Sequence, residues 1–174
     1  IQQQLETKSN DKERDFNRIS ILEKEANTLY RECMFIAQQL SKNRKSAVPD
    51  LEKQTNALLH KMGMPNASIQ VKLNEKPISA DGTDEVQFLF DANKSGRMEP
   101  ISKVASGGEL SRLMLSIKSL VAKKLQLPTL IFDEIDAGIS GEAAKQVGLI
   151  MKSLGAHHQI ISITHQPQIA AKAN

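Results

Sequence analysis

Thr129-Leu130-Ile131-Phe132-Asp133-Glu134-Ile135-Asp136 is the stretch on which the rest of the chain is organised. Its first four residues are β-branched, apolar or aromatic, with no polar alternation. That pattern predicts a short strand covered on both faces, as in a parallel sheet. The run stops on two adjacent carboxylates, Asp133 and Glu134. In open α/β sheets, ligands bind just beyond the carboxyl ends of the strands. Two acids at that place can divide the work, one holding Mg²⁺ and the other taking a proton from water. Read by itself, the stretch is equally a strand that ends in a polar turn.

The chain around it has 174 residues, enough for one domain and its core. Apolar residues make 40%, charged residues 25% and aromatics only 3%, so the core is aliphatic and the charge points to long solvated helices. The net charge of +3 comes with no dominant basic stripe and decides nothing about a nucleic-acid partner. Cys33 is the single cysteine and cannot form an internal disulfide, which suggests a reducing, cytoplasmic compartment. No apolar run is long enough to span a bilayer and no signal peptide is visible, so no membrane partner is expected. The chain opens on Ile1 without an initiating methionine and closes on no evident terminal element, so a fragment is expected.

Residues 1–45 are polar, charged and free of Gly and Pro. Ile19, Ala26, Cys33 and Leu40 recur every seven residues, and Leu22, Leu29 and Ile36 repeat with the same period at an offset of three. This is an a/d seam of about three heptads. It weakens upstream, where Lys8, Lys12 and Asp15 fall on seam positions. The pattern reads as the end of a coiled-coil arm; a single amphipathic helix packed on its own domain is the alternative. Pro49 can start a second helix, with Leu51, Leu58, Leu59 and Met62 apolar and Gly63 and Pro65 as its stop. Strands are predicted at 68–73 and 85–90, antiparallel, with a polar loop between them that holds Asp81-Gly82. Residues 91–103 read as loop.

A strong helix is predicted over 107–125, with Leu110, Leu113, Met114, Ile117, Leu120, Val121 and Leu125 on one face. Another runs from Gly141 to Leu154, with Gly155 closing it, and a buried strand follows at 159–164. Strand, helix, strand at this spacing is a right-handed unit with both strands parallel. Its two strands deliver Asp133 and Glu134, and Thr164 and His165, to one edge. Ser106-Gly107-Gly108-Glu109 precedes the first of these helices as a Ser-x-x-Glu capping box. Two glycines let another backbone approach, and the helix start offers free N–H groups to a phosphate. Alone, this is an ordinary N-cap, and His165 alone is an ordinary structural histidine. No glycine here is followed by lysine, so the chain carries no Gly-x-x-x-x-Gly-Lys-Ser/Thr phosphate cradle. Taken together, the Gly-Gly helix start, the Asp-Glu strand end and the histidine suit a phosphate chain, Mg²⁺ and an attacking water.

These residues resemble the ABC-type ATPases. Ser106-Gly107-Gly108-Glu109 looks like their signature motif, Leu130-Ile131-Phe132-Asp133-Glu134 like their Walker B strand, Ile135-Asp136-Ala137-Gly138-Ile139-Ser140-Gly141 like the D-loop, and Thr164-His165 like the switch histidine. Within that superfamily three longer stretches are similar to the SMC-like ATPases of bacterial DNA repair. They are Lys103 to Arg112, Phe132 to Gly141, and Ile163 to Ala171. Transporter ATPases usually continue Asp-Glu with Pro-Thr, and most SMC proteins lack Gly138-Ile139-Ser140-Gly141. The motifs cover roughly residues 85–174, and the heptads before them agree in order. Gln166 departs from the apolar residue expected at its position.

The resemblance implies an α/β fold: the carboxy-terminal lobe of an SMC-type head over 46–174, preceded by the end of a coiled-coil arm over 1–45. The amino-terminal half of the head, with Walker A and the Q-loop, would be a partner outside this chain. Asp133 would help hold Mg²⁺, Glu134 would polarise the attacking water, and His165 would contact the γ-phosphate. Asp136 would face the opposite head from the D-loop. Ser106, Gly107 and Gly108, with Glu109, would bind the γ-phosphate of ATP held by a second copy of the head. The intact protein would hydrolyse ATP between two heads during repair of DNA double-strand breaks, with DNA as its partner, and this fragment alone would be inactive. A non-hydrolysing clamp subunit and, more distantly, a transporter ATPase are the alternatives.

Overall fold

The computed structural model describes the backbone of residues 2–104, 106–125 and 127–173, and side chains from 14 onward except 105, 123–126 and 174. Ala105 and the side chains of Lys8, Lys12 and Leu125 lie outside the described residues.

Helix α1 (Gln2–Lys61) is one helix of 60 residues, with Pro49 inside it. The break expected at Pro49 does not occur. Proline removes one helical donor, the partner of the Lys45 carbonyl, at a cost of about 3 kcal/mol. Two turns and more beyond it, Leu59 and Met62 are fully buried. Each contributes about 1.5–3 kcal/mol by leaving water, so tertiary packing outweighs the proline. The helix ends where the sequence predicts. Met64 N–H donates to the Leu59 carbonyl at 3.1 Å and Gly63 N–H to His60 at 3.4 Å. Gly63 sits at φ +81°. This Schellman closure needs a residue that enters the left-handed region freely, and Leu59 and Met64 make its apolar contact in the core.

Two compact units divide the chain. One comprises 1–44 with 75–84, the other 45–74 with 85–174. In the first, the heptad residues Ile19, Leu22, Leu29 and Ile36 are all more than half exposed. Here too is the tip of a hairpin formed by β1 (Ser68–Ser79) and β2 (Gly82–Asp91), joined through Ala80 and Asp81. The polar loop expected between residues 73 and 85 is therefore ladder almost to its end. Several of its polar side chains are hydrogen-bonded. Asp84, 2% exposed, accepts from Ser41 Oγ at 2.7 Å and from Arg44 Nη1 at 3.1 Å. Arg44 Nη2 donates to the Asp81 carbonyl at 2.9 Å. Lys76 and Ser79 donate to the Asp81 carboxylate, each at 2.7 Å.

In the second unit, β3 (Glu99–Pro100) pairs antiparallel with β2, with Leu89 opposite Pro100. A short 3₁₀ turn at Ile101–Lys103 follows, so 91–103 is only partly loop. Then come α2 (Gly107–Leu125), β4 (Thr129–Phe132), α3 (Gly141–Gly155), β5 (Gln159–Ser162) and the single turn α4 (Pro167–Ala170). The starts of α2 and α3 fall where the sequence predicts. β4 and β5 pair in parallel, with Phe132 opposite Ser162, as the strand–helix–strand reading requires. Leu113, Leu115, Leu130, Phe132, Ile135 and Val147 share one aliphatic core.

One expectation about this sheet fails. Leu130 and Phe132 are buried, but Ile131 is 64% exposed, and Ile161 and Ile163 are 46% and 59% exposed. Among the described residues only one face of β4–β5 is covered. An unbroken apolar run specifies strands that want cover on both sides, but it does not say that the same chain supplies both covers. The second strand is also shorter than expected, although Ile163 N–H still reaches the Phe132 carbonyl at 3.2 Å.

Candidate functional site

The start of α2 and the end of β4 meet. Ser106 Oγ accepts from Glu109 N–H at 3.3 Å, and the Ser106 carbonyl accepts from Leu110 N–H at 3.0 Å, so Ser106 caps the helix as its sequence predicts. One turn on, Ser111 Oγ donates to the Asp133 carbonyl at 2.7 Å. Arg112 Nη1 donates to the Ala137 carbonyl at 2.7 Å. Arg112 is 6% exposed, and its burial, only partly offset by Glu109, lowers the pKa of its guanidinium. These bonds tie the loop after β4 to the first two turns of α2.

The two glycines do different things. A Cβ on Gly107 would collide with Glu134 Oε2, so the helix start and the second carboxylate are in contact. A Cβ on Gly108 would lie 2.8 Å from Ala137 Cβ and 3.1 Å from the Ala137 carbonyl oxygen. Ser106 and Gly107 are exposed, Gly108 is buried, and Glu109 is partly so.

Asp133 and Glu134 are both exposed at the strand end. Asp133 Oδ1 accepts from Glu134 N–H at 2.9 Å. Glu134 sits at φ +54°, a left-handed conformation that costs a non-glycine residue about 1–3 kcal/mol and clusters at functional sites. The turn continues with Ala137 N–H donating to the Glu134 carbonyl at 3.1 Å. Among the described residues no three His, Cys, Asp or Glu side chains stand together as a metal cage. Asp133 therefore fits Mg²⁺ only in the way Mg²⁺ is commonly bound beside phosphates, by one or two carboxylates with water and phosphate oxygens completing the shell.

Asp136 is placed differently from the expectation. It is buried, 8% exposed, and turns inward rather than outward. Its Oδ2 accepts three hydrogen bonds, from Thr164 Oγ1 and His165 N–H, each at 2.6 Å, and from Gln166 N–H at 3.2 Å. Burial pushes its carboxyl up, but the bonds from Thr164, His165, its own N–H and Gln166 outweigh that, so its pKa lies below the usual range. Gln166, polar where an apolar residue is expected, donates through Nε2 to the Ile139 carbonyl at 2.9 Å. His165 itself is exposed. Thus Ser106, Gly107, Asp133, Glu134 and His165 all present exposed groups from the same unit, while Gly108, Arg112, Asp136 and Gln166 brace the loops behind them. Sequence reasoning missed Ser111, Arg112 and Gln166 as braces. Their signal was a polar residue on or beside an otherwise apolar face.

The parallel strand pair, its helices and the capped helix start have the fold of SMC head domains. Solved structures bear out the fold. An SMC head domain with a coiled coil and joint from Pyrococcus yayanosii superposes with a TM-score of 0.55 at 23% identity, over 79% of this chain and 26% of that one. An SMC head bound to the C-winged helix domain of ScpA superposes with a TM-score of 0.54 at 23% identity, over 81% of this chain and 42% of that one. No protein-family model matches the chain. Curated sequences do. "DNA repair protein RecN" of Rickettsia typhi is 45% identical over 141 residues, 80% of this chain and 25% of the relative. RecN of Rickettsia conorii is 42% identical over 139 residues, 80% of this chain and 26% of the relative. That of Vibrio cholerae is 37% identical over 155 residues, 88% of this chain and 28% of the relative. Over the stretch it spans, the chain is similar to the carboxy-terminal part of these RecN proteins. It spans about a quarter of the length of those relatives.

Proposed function

We propose that this chain is the carboxy-terminal half of the ATPase head of a RecN-type protein, with the root of its coiled-coil arm at residues 1–45. The single observation that carries the reading is the contact between the α2 start and Glu134, at the edge that also carries Asp133 and His165. A capped helix start offering Ser106 and Gly107 suits an anionic phosphate, but without a lysine-bearing loop it can only dock on a phosphate held elsewhere. The cradle would come from the amino-terminal half of the same protein, and the docked phosphate from ATP on a second copy of the head.

In that complex Asp133 would hold Mg²⁺, and the ion would supply charge neutralisation on the phosphates. Glu134 accepts the proton of the water that attacks the γ-phosphorus, and His165 donates a hydrogen bond to the γ-phosphate. ATP binding closes the two heads, hydrolysis opens them, and the arm transmits the cycle to DNA at a double-strand break. The protein works in the bacterial cytoplasm, at the nucleoid. The isolated chain hydrolyses almost no ATP. A clamp that never turns over has no use for a base at Glu134, and this favours the hydrolase.

Glu134→Gln in the intact protein tests the reading. The amide keeps the shape but cannot take the proton. ATP binding should persist, turnover should fall by about 10²–10⁴-fold, and ATP should hold the heads together as a dimer on sizing columns. Hydrolysis at the parent rate would remove Glu134 from the role of base.

A further inference from the structure

We propose that Asp136 is a positioning residue: its carboxylate fixes the turn that presents His165, so the loop after β4 and the loop after β5 move as one piece. For activity this rests on the role given to His165 above; for geometry it rests on the hydrogen bonds alone.

One oxygen, Oδ2, gathers the Thr164 hydroxyl and the amides of His165 and Gln166. Thr164 Oγ1 in turn accepts from Gln166 N–H at 3.1 Å, so that amide is shared between two acceptors. Gln166 Nε2 closes the other side by donating to the Ile139 carbonyl. Asp136 and Ile139 belong to the loop that begins with Asp133 and Glu134, and the three donors belong to the histidine loop. Four hydrogen bonds thus cross between segments 28 or so residues apart. Bonds to an ionised carboxylate are about twice as strong as neutral ones. Asp136 is buried, which shields these bonds from most of the solvent. His165, by contrast, has an exposed side chain, and its backbone amide is the anchored atom. The same loop that carries Glu134 therefore sets where the histidine stands. Any shift of the β4 loop when a ligand reaches Asp133 or Glu134 passes directly to His165.

The test uses amide hydrogen exchange and ATP turnover on the intact protein, comparing Asp136→Ala, Asp136→Asn, His165→Ala and the Asp136→Ala/His165→Ala double variant. Asp136→Ala should speed exchange at the His165 and Gln166 amides by about tenfold or more, while amides in the middle of α2 and α3 keep the parent rate. Asp136→Asn keeps an oxygen acceptor and should fall between the two. Turnover should drop in Asp136→Ala with little change in KM for ATP, and the double variant should be no slower than His165→Ala, because Asp136 acts through that residue. If Asp136→Ala does not fold, Asp136→Asn carries the test by itself: faster exchange at the His165 and Gln166 amides supports the proposal, and parent rates at both overturn it. Unchanged exchange at both amides in the folded variants, or full additivity of the double variant, would overturn the proposal. If the intact parent shows no ATPase activity, the function proposed above falls, and the exchange measurements still decide the role of Asp136.

Discussion

Gly107 and Gly108 are neighbours in the same helix turn, yet replacing each by alanine should have opposite consequences. On Gly107 the new methyl meets Glu134 Oε2, the far end of a flexible side chain that can swing away. The backbone pays nothing, and a glycine in a helix is worse than alanine by roughly 0.5–1 kcal/mol, so Gly107→Ala should be neutral or slightly stabilising. Its cost falls on function: Glu134 is displaced, and turnover of the intact protein should drop by at least tenfold. On Gly108 the methyl meets Ala137 Cβ at 2.8 Å and the Ala137 carbonyl oxygen at 3.1 Å, with Arg112 Nη1 at 3.3 Å. These are backbone and a buried guanidinium that donates to that same carbonyl, and none can rotate aside. Overpacking of this kind costs about 1–3 kcal/mol. A weakened bond from the Arg112 cation adds about 1 kcal/mol, and the helix preference of alanine returns up to about 1. The net for Gly108→Ala is a loss of about 1–3 kcal/mol. Urea unfolding of this chain, followed by circular dichroism with the slope held common, measures both. Equal stabilities for the two variants, or a loss in Gly107→Ala that exceeds the loss in Gly108→Ala, would refute the packing on which the site is built.

Ser106→Arg separates a cap from an interface. Loss of the cap alone costs about 1 kcal/mol, whereas an arginine across a head–head contact abolishes ATP-driven dimerisation of the intact protein while nucleotide binding by each head survives; normal dimers would end the trans reading. The hairpin tip should respond to acid in a defined window. Hydrogen bonds from Lys76, Ser79 and its own N–H hold the Asp81 pKa at about 2, below its ordinary 3.8. A depressed pKa means stability that is complete above the unfolded value and is lost as pH falls from about 4 toward 2. Amide exchange at residues 76–82 should therefore accelerate in that window, and Lys76→Gln, which raises the folded pKa, should make the acceleration smaller and complete it at a higher pH.

Local chemistry made some of this molecule legible in the sequence. The α2 start at Gly107, the α3 start at Gly141 and the closure of α1 at Gly63 were readable because a cap or a left-handed glycine acts on the nearest few residues. The parallel pair β4–β5 was readable because its connection is one helix long. The candidate residues at the strand ends were readable for the same reason, since a strand followed by a carboxylate places that carboxylate at the sheet edge. The rest depended on partners that no local window contains. Pro49 reads as a helix start until Leu59 and Met62 are seen fully buried. The residues between 73 and 85 read as a loop until Asp84 is seen bonded to Ser41 and Arg44, some 40 residues away in the chain. Asp136 reads as an outward-facing acid until three donors from the loop after β5 converge on one of its oxygens. In each case a polar or helix-breaking residue looks solvent-facing by itself, and only the fold supplies the distant donor or the apolar surface that makes its burial favourable.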